Sequence, residues 1–251
     1  MSSPWTPLVA LVGTLLPLLW VKRWITRHLQ ELSLRWVGDP DVALVLYFVV
    51  VLPGVVLHEL SHWLVAKLLG VRVSKFSLGP VRKGRSRRVS LGSVRVGKVD
   101  PLRAALIGLA PLLGATAVIL LIGNLALGVD ELARAVATGG GEEVLAGLES
   151  LMQVPDFWLW LYFIFSISNA MLPSESDMSA VWPVLIFLGI AVLLFVIVAG
   201  VPSLPPEALD LARSAAGYLA SAFGLTLAVD ALFGILIGLL VALTRRAQRA
   251  Y

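Results

Sequence analysis

The chain has no cysteine and few charged residues, and both shortages limit what it can be. Without cysteine it can form neither disulfide bonds nor thiolate metal sites, so any bound metal must take nitrogen and oxygen ligands. Charged residues make up only 14% of the 251 positions, whereas a soluble domain carries about 25%. Hydrophobic residues make up 58%. This balance predicts a membrane protein with several spans rather than a globule around one core.

Apolar segments long enough to cross a membrane lie at 5–21, 41–69, 101–127, 157–172, 178–201 and within 211–243. Residues 22–37 mix basic side chains with tryptophans, which predicts an interfacial helix. Residues 71–99 alternate apolar and polar, which predicts a β-hairpin. The expected fold class is an all-α polytopic membrane protein with about six transmembrane helices and a small membrane-associated β-hairpin or sheet after the second helix. We expect three parts: 1–41, a core at 42–180, and C-terminal spans at 181–251.

Basic residues are unevenly distributed, although the net charge is only +4. They flank apolar segments that are typical of membrane spans, so we expect no nucleic-acid partner. Because cytoplasmic loops are rich in Lys and Arg, the basic segment 71–100 and the tail 244–251 are expected in the cytoplasm, and the acidic segment 128–156 outside. Six spans then place the N-terminus inside and the 22–41 connection outside, despite four basic residues there.

The second apolar segment carries the pattern H-E-x-x-H, which uses two of the chain's three histidines. His58 and His62 are four residues apart and share one face of a helix, so together they can hold one zinc ion. Glu59 then lies beside the open coordination position, where it can take a proton from bound water. The alternative is a pair of core histidines bonded to neighbouring helices. Ionisable groups are costly in so apolar a segment, which favours a functional role.

Two histidines do not complete a zinc site, which needs a third protein ligand. The acids in or near the membrane are Glu175, Asp177 and Asp230. At 1.5 Å per helical residue, the metal lies roughly 7–18 Å and Asp230 roughly 22 Å below the cytoplasmic surface. Asp230 is therefore expected to be a protonated or hydrogen-bonded helix contact. The fourth span is short and Pro173 ends it, so residues 169–177 are expected to turn at the level of the metal.

The motif at 58–62, followed by Asn169 and Asp177, resembles the site-2 protease family of intramembrane zinc metalloproteases. That family has H-E-x-x-H on one span and N-x-x-P-x-P-x-L-D-G two spans later, and the Asp of the second motif is the third zinc ligand. Asp177 likewise stands eight residues after Asn169. The chain departs from the second motif at Pro173, which is one place late, and at Ser174, Ser176 and Met178. The resemblance covers about residues 42–180, and Glu175 stays the alternative ligand.

The resemblance implies hydrolysis of a peptide bond in or beside a transmembrane segment of a protein substrate. It implies Zn²⁺ held by His58, His62 and Asp177, with Glu59 as the catalytic residue. Asn169 is expected to bind the substrate backbone, or else to make an interhelix contact. The hairpin is expected to pair with an extended substrate or to anchor on anionic lipid.

We expect an integral protein of a prokaryotic cell membrane, with the lipid bilayer as a partner and the active site in the cytoplasmic half. Two alternatives remain. One is a catalytically inactive, metal-binding relative that binds a membrane partner. The other is an ion or proton transporter, against which the chain has no second set of broken helices.

Overall fold

A computed structural model describes residues 6–82, 89–138, 140–199 and 205–249. The helices are α1 (Thr6–Val37), α2 (Pro40–Val50), α3 (Leu52–Leu68), α4 (Pro101–Leu121), α5 (Val129–Thr138), α6 (Gly141–Met152), α7 (Phe157–Met171), α8 (Glu175–Ala199) and α9 (Pro206–Arg249); the strands are β1 (Val73–Arg82) and β2 (Val89–Val96). A π-helical turn, Ile122–Ala126, extends α4. The expected fold class is confirmed: apolar helices dominate, and the strands form one small sheet after the second hydrophobic segment.

Helices α1, α4, α8 and α9 are each long and apolar enough to cross a membrane. The number rises to six if two bent pairs each count as one span, α2 with α3 bent by 72° and α6 with α7 bent by 93°. The first break falls at Val51, because Pro53 favours the first turn of a new helix rather than a helix interior. The acidic segment 128–156 forms α5, α6 and the turn before α7.

Two segments in which the residue pattern indicated shorter elements each form one long helix. Residues 22–37 continue α1 instead of forming a separate interfacial helix. Residues 206–249 form one helix, which begins before the apolar segment at 211–243 and continues beyond it. Buried side chains on α1 recur on one face, at Leu18, Ile25, Leu29 and Leu32. This face packs along α9, and that packing outweighs the polar residues that favoured a break. The division into three parts stays a prediction.

An ion pair between α1 and α9 corrects the expected topology. Arg245 Nη2 donates to both carboxylate oxygens of Glu31, at 2.8 and 2.9 Å. Both residues lie near the C-terminal ends of their helices, so the 22–41 connection and the C-terminal tail lie on the same side. The prediction that they lie on opposite sides is wrong. The corrected arrangement places the basic residues of the 22–41 connection and those of the C-terminal tail on one side, as the positive-inside rule favours.

The hairpin expected at 71–99 is confirmed as an antiparallel pair, with Phe76 opposite Val94 and Ser77 opposite Ser93. The Oγ atoms of Ser77 and Ser93 lie 2.9 Å apart across the pair. Residues 83–88 of the connecting loop, with several of its basic residues, lie outside the described part of the chain. Both strands pack against α3, so the sheet lies beside the helix that carries the histidine motif.

Candidate metal centre

The two motif histidines lie on one face of α3, and each is fixed by a backbone carbonyl from another helix. The Nδ1 of His58 lies 2.7 Å from the carbonyl oxygen of Ala170 on α7, and the Nδ1 of His62 lies 2.7 Å from that of Ile107 on α4. A carbonyl can only accept, so each Nδ1 carries the proton and donates. Each Nε2 is therefore unprotonated in a neutral ring and able to bind a metal.

Asp177 completes a three-residue group at the start of α8. Its Oδ1 lies 3.2 Å from the Nε2 of His62, its Oδ2 lies 3.6 Å from the Nε2 of His58, and the two Nε2 atoms are 3.2 Å apart. Ligand atoms at about 2.0–2.1 Å in a tetrahedron are about 3.3 Å from one another. The Nε2–Nε2 and Nε2–Oδ1 separations are close to this edge length, and one ligand atom from each residue lies within 4.8 Å of the others, so the group could hold a metal ion.

Ser174 holds Asp177 through a reciprocal set of hydrogen bonds at the start of α8. The backbone N–H and the hydroxyl of Ser174 both donate to Asp177 Oδ2, at 2.7 and 2.6 Å. The N–H of Asp177 in turn donates to Ser174 Oγ at 3.3 Å. This is the capping-box arrangement, in which the two residues satisfy each other's polar groups. It fixes Oδ2 and turns Oδ1 towards His62. The Ser-x-x-Asp spacing is visible in the sequence, where Ser174 otherwise stands out only as a departure from the family motif.

Replacing Ser174 by alanine is therefore expected to lower metal affinity about 10-fold, because partners of a ligand contribute that much by orienting it. Ser174→Thr keeps the hydroxyl and is expected to restore the affinity. Ser179→Ala is the matched control, since Ser179 lies about one turn further along α8 and, within the described part of the chain, its hydroxyl donates to the carbonyl of Ser176 and not to Asp177. The measurement is a zinc titration against a competing chelator. Equal affinity in Ser174→Ala and wild type would contradict this role.

Glycines allow the helices around the group to approach closely. The N–H of Gly54 donates to Ser166 Oγ at 2.9 Å, and a Cβ at Gly54 would overlap the Ser166 carbonyl. A Cβ at Gly108 on α4 would lie 2.7 Å from the carbonyl oxygen of Asp177. A Cβ at Gly114 would meet the hydroxyl of Ser61. Small residues at helix contacts are common in membrane proteins, and here they set the distance between the ligands' helices.

Gly108→Ala is expected to push the first turn of α8 away from α4 and to weaken metal binding at least about 10-fold. Adding a methyl group to a filled contact typically costs about 1–3 kcal/mol, and here the backbone of a ligand must move. Gly189→Ala is the matched control, because nothing lies within 4 Å of a Cβ there. Chelator competition and thermal unfolding would both be measured. Wild-type affinity in Gly108→Ala would show that this contact does not position Asp177.

Glu59 lines a cavity that also contains the three-residue group, but it is not part of that group. Its side chain is buried, with 6% of its surface exposed. The backbone of β2 approaches the Glu59 side chain closely at Gly92, where a Cβ would lie 2.6 Å from Glu59 Cγ and Oε1. A strand glycine is typical where another group approaches the backbone closely. The hairpin thus forms one wall of the cavity, opposite the helices.

The cavity measures about 870 Å³, and other expected site residues lie around it. Asn169 lines it and is nearly buried; its Nδ2 donates to the carbonyl of Phe165 at 2.8 Å, which leaves its side-chain oxygen as an acceptor. Glu175, the alternative ligand, also lines the cavity but lies outside the metal group. Asp230 lies outside that group and is hydrogen-bonded to Ser168 at 2.7 Å, as expected of a helix contact.

The carbonyl partners of the two histidines have no signal in the sequence. They come from the backbone of α4 and α7, which only the packing brings near. Comparison with protein-family models, with curated proteins and with solved structures found no match for this chain. Conclusions about function therefore depend on the geometry of this site and on the sequence motifs.

Proposed function

We propose that this membrane protein is an intramembrane zinc metalloprotease that hydrolyses a peptide bond in or beside a transmembrane segment of another protein. The observation that carries the proposal is the convergence of two histidine nitrogens and one carboxylate oxygen in a cavity that also holds a buried glutamate. Three protein ligands with room for a fourth are typical of catalytic zinc sites, whereas structural sites use four. The resemblance to site-2 proteases supports the same assignment.

Zinc suits the donor set, since two imidazoles and one carboxylate give the nitrogen and oxygen ligands that it takes in hydrolases. Bound there, it would polarise a carbonyl group and lower the pKa of a water molecule towards neutrality. The chain's own groups prepare that chemistry. The carbonyls of Ala170 and Ile107 fix the imidazoles with each Nε2 near Asp177, where the three residues would hold the ion, and Ser174 holds the carboxylate.

Glu59 is the general base in this proposal, and it later passes the proton to the leaving nitrogen. Its side chain is buried beneath β2 and lines the cavity that holds the metal group. Asn169 offers its side-chain oxygen to an N–H of an extended substrate. A substrate helix must unwind before attack, because its own amides are bonded within it. We assign the site to the cytoplasmic half, because α3 leads directly into the basic hairpin segment.

Quantitative membrane proteomics tests the proposal and identifies the substrate in the same experiment. Cells that express the wild-type chain are compared with cells that express Glu59→Gln at equal levels. We expect at least one intact membrane protein to accumulate in Glu59→Gln cells and its shorter fragment to disappear. Glu142→Gln, an exposed substitution on α6 with the same chemical change, is the control. Identical fragment patterns in all three strains would contradict proteolysis.

A further inference from the structure

The cavity contains a lysine that the proposed reaction does not use. Lys22 lies in the middle of α1 and lines the same cavity as His58 and Asp177. Among the described residues, its ammonium has neither a hydrogen-bond acceptor nor a close ion pair. A lysine inside a membrane-spanning segment is costly and marks a functional position by default. The interfacial helix expected from the sequence would have left Lys22 in contact with water, where it needs no partner.

Asp230 on α9 provides the charge that offsets this lysine. It is fully buried, with 0% of its surface exposed, and it attracts Lys22 electrostatically. One oxygen, Oδ1, lies 2.7 Å from Ser168 Oγ on α7, whereas Oδ2 has no hydrogen-bond partner among the described residues. Buried carboxylate oxygens are normally hydrogen-bonded. In this pair, Oδ2 of Asp230 can still accept a hydrogen bond and the ammonium of Lys22 can still donate. Asp230 itself does not line the cavity.

Lys22 lines the same cavity as the metal group but is not one of the three residues of that group. Ser168, which contacts Asp230, is two residues from Ala170, whose carbonyl holds His58. The Lys22 ammonium has three N–H donors available to a ligand in the cavity that it lines.

We propose that Lys22, supported by Asp230, is a binding subsite for a carboxylate, and that its ligand is an acidic side chain in the peptide segment that enters the cavity. This inference rests on the proposed function for the identity of the ligand. Acidic residues are rare in transmembrane segments, so a cation at this depth would select a small class of substrates. When it is ionised, Asp230 offsets the charge of the ammonium in the absence of a ligand, and the ligand replaces water around the ammonium.

The test uses single-span substrates that differ only in carrying Asp or Asn at successive positions of the segment. At one position, the wild-type protein is expected to prefer Asp over Asn about 10-fold in kcat/KM, the size expected for a hydrogen bond to a charged group. Lys22→Met is expected to reduce that ratio to about 1. A third substrate carries Lys at that position, and Lys22→Glu is expected to prefer this Lys substrate over the Asp substrate. Lys67→Met, which removes an exposed lysine on α3, is expected to keep the wild-type ratio.

A binding measurement tests this inference independently of whether the protein cleaves peptides. The Glu59→Gln protein would be titrated with the Asp and Asn substrates, with and without Lys22→Met, and equilibrium affinity measured. Tighter binding of the Asp substrate that disappears in Lys22→Met supports the subsite, even if the wild-type protein cleaves nothing. Equal binding and equal cleavage of both substrates, or a preference that survives in Lys22→Met and Lys22→Glu, overturns it.

Discussion

Replacing Glu59 by glutamine is expected to lower substrate cleavage by about 10³-fold or more, because one group both accepts the water proton and delivers it to the leaving nitrogen. Glutamine has nearly the same shape, so it can keep the close contact with Gly92. Glu59 lies outside the metal group, so the bound metal is expected to stay at about one ion per chain. The loss should therefore appear in kcat and not in metal content.

The measurement is single-turnover cleavage of a substrate found by proteomics, with metal content determined on the same samples. Glu142→Gln again serves as the control for an exposed glutamate. Cleavage by Glu59→Gln at the wild-type rate would refute its role as general base. Loss of metal together with activity would instead make Glu59 a ligand, contrary to the geometry of the site.

Replacing Asp177 by alanine is expected to weaken zinc binding by more than about 100-fold and to abolish cleavage. This loss exceeds that expected when a metal ligand loses only its hydrogen-bond partner. The reason is its position: Oδ1 lies 3.2 Å from the Nε2 of His62. Glu175→Ala, two residues earlier on the exposed side of the same turn, is expected to keep most of both properties.

Chelator competition and thermal unfolding with and without zinc measure this second effect. Zinc is expected to raise the unfolding temperature of the wild type and of Glu175→Ala but not of Asp177→Ala, because only a bound ligand stabilises the folded state. If Glu175→Ala loses the stabilisation and Asp177→Ala keeps it, the third ligand lies two residues earlier.

Local patterns predicted the parts of the site that lie within one element. The spacing of His58 and His62 places them on one helix face whatever surrounds the helix. Depth in the membrane disfavoured Asp230 but left both Glu175 and Asp177, and the family resemblance favoured Asp177. The hairpin followed from its alternation of apolar and polar residues.

The remainder depends on packing between segments distant in sequence. The Ala170 and Ile107 carbonyls carry no side-chain signal, so no sequence pattern indicates them. Lys22 stands among basic and aromatic residues that are typical of an interface, and only the packing of α1 on α9 places it in the cavity. The Ser174–Asp177 capping box is detectable from the Ser-x-x-Asp spacing. The family motif does not indicate it, because that motif has a proline at the position of Ser174.

The central claim is that zinc held by His58, His62 and Asp177 supports peptide hydrolysis by this chain. The most direct measurement is cleavage of a single-span substrate by the purified protein in lipid vesicles, after metal removal and again after zinc is restored. We expect no cleavage by the metal-free protein, recovery on adding about one zinc per chain, and no recovery in His58→Ala. Cleavage that persists without metal, or no cleavage by the zinc-loaded wild type of a substrate identified in cells, would contradict it.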